Sequence, residues 1–320
     1  MPQREKIKDY LNKSGWLSGI KEISHLASGE YNENYLVKTS SGKYVFRINH
    51  GSQLFIENQI EYEFTVLKSI EDSGVTPQPL FHDSSTSGFA GGVLLMEFIE
   101  GKSLDYNTDS DKAAFIFSII HSLPCDSRLI VQKDPVKDIC TESLKLIYMN
   151  SSSEFSDVRL LLLDYHDKMM KLSEQEKDIF SNESLCTVNS EVNSGNFIIS
   201  DTRSVLVDWE KAVVSYRYQD LGHFLVPTTT LWKTDYRFTR EQKIQFIKSY
   251  LRYSELDMDI DEMFYKTEIL EKVILLRALS WCYMAYEQYV NGNKKLTHDE
   301  TFRKIKYYLD NAECFLKSEI

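Results

Sequence analysis

The amino-acid sequence predicts an α+β protein of two lobes, with a sheet-rich N-terminal lobe and a mainly helical C-terminal lobe. Two patterns support this prediction. Between residues 36 and 48, apolar residues lie on both sides of a Ser-Ser-Gly turn, as in a β-hairpin. After Gly101 most apolar residues recur at helical spacing. We therefore expect an N-terminal lobe at 1–97 and a helical C-terminal lobe at 98–320.

The N-terminal lobe is predicted from strands that flank one helix. The second hairpin strand, residues 44–48, alternates so that its apolar side chains share one face and Arg47 lies on the other. A helix follows across residues 60–70, with Glu63 beside its apolar stripe. Residues 93–96 are all apolar, which predicts a short buried strand.

The C-terminal lobe is predicted to be helical from Gly101 to about residue 185, including a helix at 113–123 that Pro124 ends. Short apolar runs at 196–199 and 205–207 predict two strands. The rest of the chain reads as mostly helical.

Composition excludes several classes of function. The net charge of −11 argues against binding to nucleic acid or to an anionic membrane, because both attract surfaces rich in Lys and Arg. No apolar run is long enough to span a membrane, and the polar start lacks a secretory signal, so we expect a cytoplasmic protein. The five cysteines lack Cys-x-x-Cys spacing, which favours reduced thiols. The oligomeric state cannot be predicted.

The most informative stretch contains Glu191, Asn196 and Asp208 in that order. A kinase catalytic loop has the same sequence of groups, in which an acid faces the acceptor hydroxyl and an Asn and a later Asp hold magnesium ions. We therefore predict Glu191 as the catalytic carboxylate and Asn196 and Asp208 as metal ligands. Alone, Asp208 could equally be a turn or cap residue at the end of a strand.

Two further features suit the binding of phosphates. Arg47 lies mid-strand and needs an anionic partner if it is buried, and Glu63 is the natural candidate. Such a pair could hold nucleotide phosphates, although an exposed strand arginine is the alternative. Ser28 and Gly29 precede the hairpin and could cover phosphates as a turn, or they could form an ordinary loop.

The remaining polar motifs are less specific. The seven histidines form no metal-ligand pattern, and His121 lies on an apolar helix as a core histidine would. Asp220 fits either a helix cap or a partner of the catalytic-loop backbone. The chain has neither a Gly-x-Ser-x-Gly elbow nor a His-Glu-x-x-His motif, which disfavours a serine hydrolase or a zinc protease.

Taken together, these residues resemble the aminoglycoside phosphotransferase and choline kinase family, whose members are small-molecule relatives of protein kinases. That family carries His-Gly-Asp-x-His-x-x-Asn, then an Asp-Trp-Glu-like metal motif, then Asp-Leu-Ala. The similar segments here are Asn189–Asn196, Asp208-Trp209-Glu210, Asp220-Leu221-Gly222, the strand 44–48, the hinge 96–101 and the helix end 121–124.

The resemblance implies a two-lobed protein-kinase-like fold, with a nucleotide-binding lobe at 1–97 and a catalytic and substrate-binding lobe at 98–320. It also implies an ATP- and Mg²⁺-dependent phosphotransferase. ATP or another purine nucleoside triphosphate would bind through Ser28, Gly29, Arg47 and Glu63, with the hinge backbone at Glu97 and Ile99 meeting the base. The acceptor would be a hydroxyl of a small molecule of the aminoglycoside, sugar, amino alcohol or nucleoside type.

The chain departs from the family at the catalytic triplet, where Asn189, Ser190 and Glu191 replace His, Gly and Asp. A glutamate carboxylate can still accept a proton, and phosphoryl transfer depends more on positioning and charge stabilisation than on the base. A catalytically weak pseudokinase, acting as a nucleotide- or ligand-binding regulatory module, is the alternative.

Substrate choice in the family lies in the helical C-terminal region. Here the segment 223–235 contains Thr229 and Trp232, which could supply a hydroxyl and an aromatic wall to the acceptor pocket. The same segment could instead be a connector whose threonines cap the next helix.

Overall fold

The computed structural model describes residues 3–85, 88–89, 91–149, 154–292 and 299–318. The chain forms two compact units. The first comprises Met1–Lys102, Asp126–Leu129 and Ile198–Ala212, and the second comprises Ser103–Cys125, Ile130–Phe197 and Val213–Ile320. The first unit therefore contains the Asp208 segment as well as the N-terminal region. The functional division at residue 97 stays a prediction.

The first unit is built on a sheet with a helix on each face. Its elements are α1 (Gln3–Ser14), β1 (Ile20–Ser28), β2 (Asn32–Thr39), β3 (Lys43–Asn49), α2 (Gln59–Ser69), β4 (Pro79–Asp83), β5 (Val93–Glu97) and β9 (Val205–Leu206). The five-stranded sheet has the antiparallel order β1-β2-β3-β5-β4. The predicted hairpin is confirmed, with Tyr35 opposite Phe46.

Successive side chains of β3 point to opposite faces of the sheet, so one face carries apolar residues and the other carries a buried charged residue. Phe46 and Ile48 belong to a buried cluster that also contains Ile7 and Leu11 of α1. Arg47, between them, is buried on the opposite face, where Glu63 of α2 is also buried. The sheet therefore brings a charged residue of β3 against the helix that follows it.

The second unit is mainly helical and is organised around one long helix. Its helices are α3 (Ser110–Ser122), α4 (Pro135–Met149), α5 (Ser156–Gln175), α6 (Tyr218–Leu225), α7 (Pro227–Lys233), α8 (Arg240–Ser254), α9 (Ile260–Val290), α10 (Asp299–Asp310) and α11 (Ala312–Ser318). Helix α9 packs against α4, α6 and α10, and α3 packs against α8. Strands β7 (Cys186–Val188) and β10 (Val213–Ser215) pair antiparallel.

Two of the positions at which the chain changes unit fall within short strands, β6 (Lys102–Ser103) and β8 (Phe197–Ile199). Gly101, which marked the predicted break, lies against Ile199 of its own unit. A Cβ at residue 101 would be 2.7 Å from the Ile199 carbonyl oxygen, so this position requires glycine. None of the helices in the described ranges has the length and apolar composition that a bilayer crossing requires.

Two strand boundaries differ from the prediction. Asn196 belongs to a one-turn 3-10 helix, Ser194–Asn196, and β8 begins only at Phe197. The Asn193 side chain accepts a hydrogen bond from the Gly195 N–H and so stabilises the turn. The second predicted strand, 205–207, ends at Leu206, because Asp208 takes a left-handed φ of 64°.

Candidate functional site

In the first unit the expected arginine–glutamate pair forms. Arg47 Nη1 donates to Glu63 Oε1 at 2.5 Å and to Asp208 Oδ1 at 2.9 Å, and its Nε donates to Asn34 Oδ1 at 3.0 Å. Burial lowers the pKa of Arg47, but the charges of Glu63 and Asp208 raise it by more, so the pKa lies above the ordinary value. Arg47 therefore stays positively charged, and its guanidinium connects Glu63 of α2 to Asp208, the predicted metal ligand.

Asp208 follows β9 directly and keeps part of its carboxylate accessible, with the side chain 27% exposed. Its neighbour Trp209 is fully buried and donates from Nε1 to the Leu206 carbonyl at 2.9 Å. The indole thus anchors the turn that presents Asp208.

Glu210, the third residue of the Asp-Trp-Glu motif, had no predicted role and proves to be an anchor. Its Oε2 accepts from Asn32 Nδ2 at 2.6 Å, and its carbonyl accepts from Gln59 Nε2 at 2.7 Å. Asn32 opens β2, and its carbonyl accepts from the Gly29 N–H at 2.9 Å. Glu210 therefore ties the Asp208 turn to the residues that follow Ser28 and Gly29.

The other predicted nucleotide residues lie elsewhere in this unit. Ser28 ends β1, and its hydroxyl lies 2.7 Å from His25 Nε2. Glu97 ends β5, and its carboxylate accepts from Arg203 Nη1 at 2.8 and 3.0 Å. Because Arg203 holds the Glu97 side chain, any contact of Glu97 with a base would have to use its backbone. Ile99 is half-buried just after β5.

In the second unit, the loop that carries the altered triplet is held by Asp220. The Asp220 carboxylate is fully buried and accepts from the backbone N–H groups of Asn189 at 2.9 Å and Ser190 at 2.8 Å. Of the two predicted roles for Asp220, the contact with the loop backbone is the one the structure shows. A carboxylate accepting buried backbone donors forms strong, charge-assisted bonds.

Ser190, which replaces the family's glycine, is held at three atoms. It adopts a left-handed φ of 66°. Besides the Asp220 bond, its carbonyl accepts from Arg277 Nη2 at 3.0 Å and its Oγ accepts from Gln219 Nε2 at 3.2 Å. Arg277 interrupts an apolar run on α9, which is a sequence signal for a buried cation that our prediction missed.

Glu191 and Asn196 come together within the loop. The Glu191 N–H donates to Asn189 Oδ1 at 3.0 Å, and Asn196 Nδ2 donates to the Glu191 carbonyl at 2.5 Å. Because the amide nitrogen of Asn196 is used inside the loop, its Oδ1 is the atom that suits a cation. These hydrogen bonds therefore hold the backbone of Glu191, the predicted acid, against the side chain of Asn196, the predicted metal ligand.

A chain of buried hydrogen bonds extends from Asp220 away from the loop. His121 Nε2 lies 3.3 Å from Asp220 Oδ2, and His121 Nδ1 lies 3.0 Å from the Tyr250 hydroxyl. The same hydroxyl accepts from Arg217 Nη1 at 3.3 Å. An ionised carboxylate can only accept, so the histidine proton lies on Nε2, facing Asp220, and in the neutral ring Nδ1 accepts from the Tyr250 hydroxyl. Burial lowers the pKa of His121, which favours this neutral form.

The predicted acceptor segment is itself helical, because 227–233 forms α7. Thr229 is buried there, and its N–H donates to the Val226 carbonyl at 3.0 Å. Trp232 is half-buried and packs edge-to-face on Trp281, with ring centroids 5.9 Å apart. A contact with an acceptor stays a prediction for both residues.

Comparisons with known proteins support the predicted fold. The family model described as "Phosphotransferase enzyme family" matches residues 22–121. No curated protein sequence matches the chain. Among solved structures, the Plasmodium vivax ethanolamine kinase has a TM-score of 0.68 at 14% identity, covering 98% of this chain and 88% of its own.

Two other solved structures are similar over nearly all of both chains. The choline kinase LicA from Streptococcus pneumoniae has a TM-score of 0.64 at 18% identity, covering 98% of this chain and 99% of its own. The spectinomycin phosphotransferase, solved with ADP and spectinomycin, has a TM-score of 0.61 at 13% identity and covers 100% of each chain. The predicted resemblance is therefore confirmed: the chain matches the phosphotransferase enzyme family over residues 22–121 and has the kinase-like α+β fold of the aminoglycoside phosphotransferases and choline kinases.

Proposed function

We propose that this protein is an ATP- and Mg²⁺-dependent phosphotransferase that phosphorylates a hydroxyl of a small molecule. The observation that carries the proposal is the buried contact of Arg47 with both Glu63 and Asp208. A strand cation paired with a helix acid is the arrangement that kinases use to hold nucleotide phosphates. Solved structures with ADP and with AMP in proteins of this fold support a nucleotide ligand.

The donor atoms present fit magnesium, which prefers oxygen ligands. Asp208 offers a partly exposed carboxylate, and Asn196 offers its Oδ1, since the Nδ2 is bonded within its own loop. Asp208 and Asn196 would hold the ion, which supplies charge neutralisation on the transferred phosphoryl group when bound. Arg47 would bind the nucleotide phosphates with a planar set of donors.

Glu191 would orient or deprotonate the acceptor hydroxyl. Its backbone is fixed by Asn189 and by Asn196, so replacement of the family's aspartate lengthens the side chain without loosening the loop. The order of the groups supports an active enzyme, because positioning contributes much of the rate in phosphoryl transfer. A cytoplasmic location, an acceptor-binding role for Thr229 and Trp232, and the absence of nucleic-acid or membrane partners remain part of the proposal.

The first experiment measures nucleotide binding. Thermal-shift titration with ATP, GTP and their analogues, with and without Mg²⁺, should show stabilisation that depends on the metal. Asp208→Asn should lose the metal-dependent shift, whereas the control Glu241→Gln, which replaces an exposed acid of α8, should keep it. The absence of any shift at millimolar nucleotide would refute the kinase proposal.

The second experiment separates the enzyme from the pseudokinase, the alternative that the altered triplet favours. ADP release is measured across a library of small hydroxyl compounds for the wild type, Asp208→Asn and Glu191→Gln. An enzyme should lose nearly all turnover in Asp208→Asn and about 10²–10⁴-fold in Glu191→Gln. A wild-type rate equal to that of Asp208→Asn for every acceptor would identify a binding module.

The acceptor is addressed by the same library. If Thr229 and Trp232 contact it, their alanine variants should raise the apparent KM for the acceptor more than that for ATP. If the two variants change only the free energy of unfolding, α7 is a structural connector.

A further inference from the structure

The second unit contains a cleft that the proposed reaction does not use. Its volume is about 540 Å³, and it lies beside the C-terminal end of α5, the loop before β7, the first residue before α6 and the first turns of α9. Small-molecule sites in proteins have volumes of about 300–1,000 Å³. Its charged lining residues are Glu176, Glu183, Arg217, Glu262 and Lys266.

Arg217 is the unusual group in this cleft. It is only 8% exposed, and the Tyr250 hydroxyl at 3.3 Å is its one hydrogen-bond acceptor among the described residues. Its Nε is buried and has no acceptor within the part of the chain that the structure describes. No carboxylate in the described part of the chain forms an ion pair with it. Buried arginines are almost always paired, so this guanidinium has unused donors and an uncompensated charge.

The other charged groups of the cleft already have partners. Lys266 Nζ lies 2.6 Å from Glu183 Oε1 and 2.7 Å from Glu262 Oε1. The Tyr265 hydroxyl donates to Glu176 Oε1 at 2.7 Å. Three carboxylates therefore face two cations, and one of the cations, Arg217, is bound to none of them. A simple anion would suit Arg217 but would add to the negative charge of the cleft.

A ligand with both charges resolves this conflict. We propose that the cleft binds a small zwitterion, whose phosphonate, phosphate or carboxylate group accepts from Arg217 and whose ammonium group faces Glu176 and Glu262. The anionic group would accept from guanidinium donors of Arg217 that Tyr250 does not use. The ammonium group would offset the charge of the anionic group, so a zwitterion would add less negative charge to the cleft than a simple anion. This site is separate from the proposed phosphotransfer site.

Isothermal titration without nucleotide tests the proposal, so the result does not depend on turnover. The probe is 3-aminopropylphosphonate, which has no hydroxyl to be phosphorylated. Propylphosphonate and propylamine each keep one of its charged groups, and 4-aminobutyrate exchanges phosphonate for carboxylate. Saturable binding of the zwitterions, at least about tenfold tighter than that of either single-charge compound, is expected.

Variants of the cleft residues test whether the binding measured by titration takes place in the cleft. Arg217→Gln should weaken binding of 3-aminopropylphosphonate by at least about tenfold. The matched control Arg128→Gln removes an exposed arginine of the first unit and should leave binding unchanged. Equal affinity in folded Arg217→Gln and the wild type would overturn the proposal, as would the absence of saturable binding at millimolar probe.

Glu262→Gln keeps the test decisive if Arg217→Gln fails to fold, because the Glu262 side chain is 53% exposed and its loss is tolerated more readily. This variant should weaken the binding of 3-aminopropylphosphonate but not the binding of propylphosphonate. An equal effect on both compounds, or no effect on either, would contradict the placement of the ammonium group.

Discussion

Ser190 offers a sharp test of how the altered catalytic loop is held, through the pair of variants Ser190→Gly and Ser190→Ala. Both variants remove the hydroxyl that accepts from Gln219 at 3.2 Å. They differ only in the Cβ, at a residue whose φ is 66°. Glycine restores the residue that the related family has at this position, whereas alanine keeps the steric conflict of the left-handed backbone.

The expected difference follows from opposing effects. Loss of the Gln219 hydrogen bond costs both variants about 0.5–1.5 kcal/mol. Relief of the left-handed backbone favours glycine by about 1–2 kcal/mol. The larger conformational freedom of glycine in the unfolded chain opposes this by about 0.4–1 kcal/mol. Ser190→Gly should therefore have a free energy of unfolding roughly 0.8 kcal/mol higher than that of Ser190→Ala, taking the middle of both ranges.

Urea unfolding at one pH, followed by circular dichroism, measures this difference as a shift in midpoint at unchanged m-value. The backbone of Ser190 is held by Asp220 and Arg277 rather than by its hydroxyl, so the loop geometry should persist in both variants. An alanine variant as stable as the glycine variant, or more stable, would show that the backbone strain is not present at Ser190. The reasoning would then fail.

Three further predictions concern packing, charge and pH. Gly222→Ala should lower the free energy of unfolding by about 1–3 kcal/mol, because the new Cβ would lie 2.9 Å from the α9 backbone. The control Gly29→Ala has open space around the new Cβ and should leave the stability unchanged in the same urea assay. Glu63→Gln should lower the free energy of unfolding by about 3–5 kcal/mol, because it leaves Arg47 buried without its closest counter-charge; a change below 1 kcal/mol would mean that the pair is solvated. His121 has a lowered pKa in the folded state, so below its unfolded pKa of about 6.5 the unfolded chain binds the extra proton and stability falls as the pH falls. His121→Gln keeps one donor and one acceptor but cannot titrate, so its stability should depend less on pH between about 6.5 and 5, and an unchanged pH profile would exclude His121 as the titrating group.

Local patterns in the sequence determined much of the fold. The hairpin of β2 and β3 was predictable because its residues alternate around a turn, and α2 and α3 because their apolar residues recur at helical spacing. Strand β1 was missed, because it lies at the sheet edge and buries only Ile23, which leaves no alternation to detect. The linear order of Glu191, Asn196 and Asp208 was likewise sufficient to indicate a kinase-like chemistry.

The sequence also indicated that Arg47 would need an acidic partner if it were buried, since a buried cation has no water to solvate it. Only the tertiary structure decided that this one guanidinium contacts both Glu63 and Asp208, which are 145 residues apart in the chain. The contacts of Asp220 with Asn189 and of Arg277 with Ser190 likewise join distant segments. Hydrogen bonds of this kind depend on how helices and loops pack, and side-chain periodicity carries no information about them. The sequence therefore specified which chemical groups are available, and packing decided which of them meet.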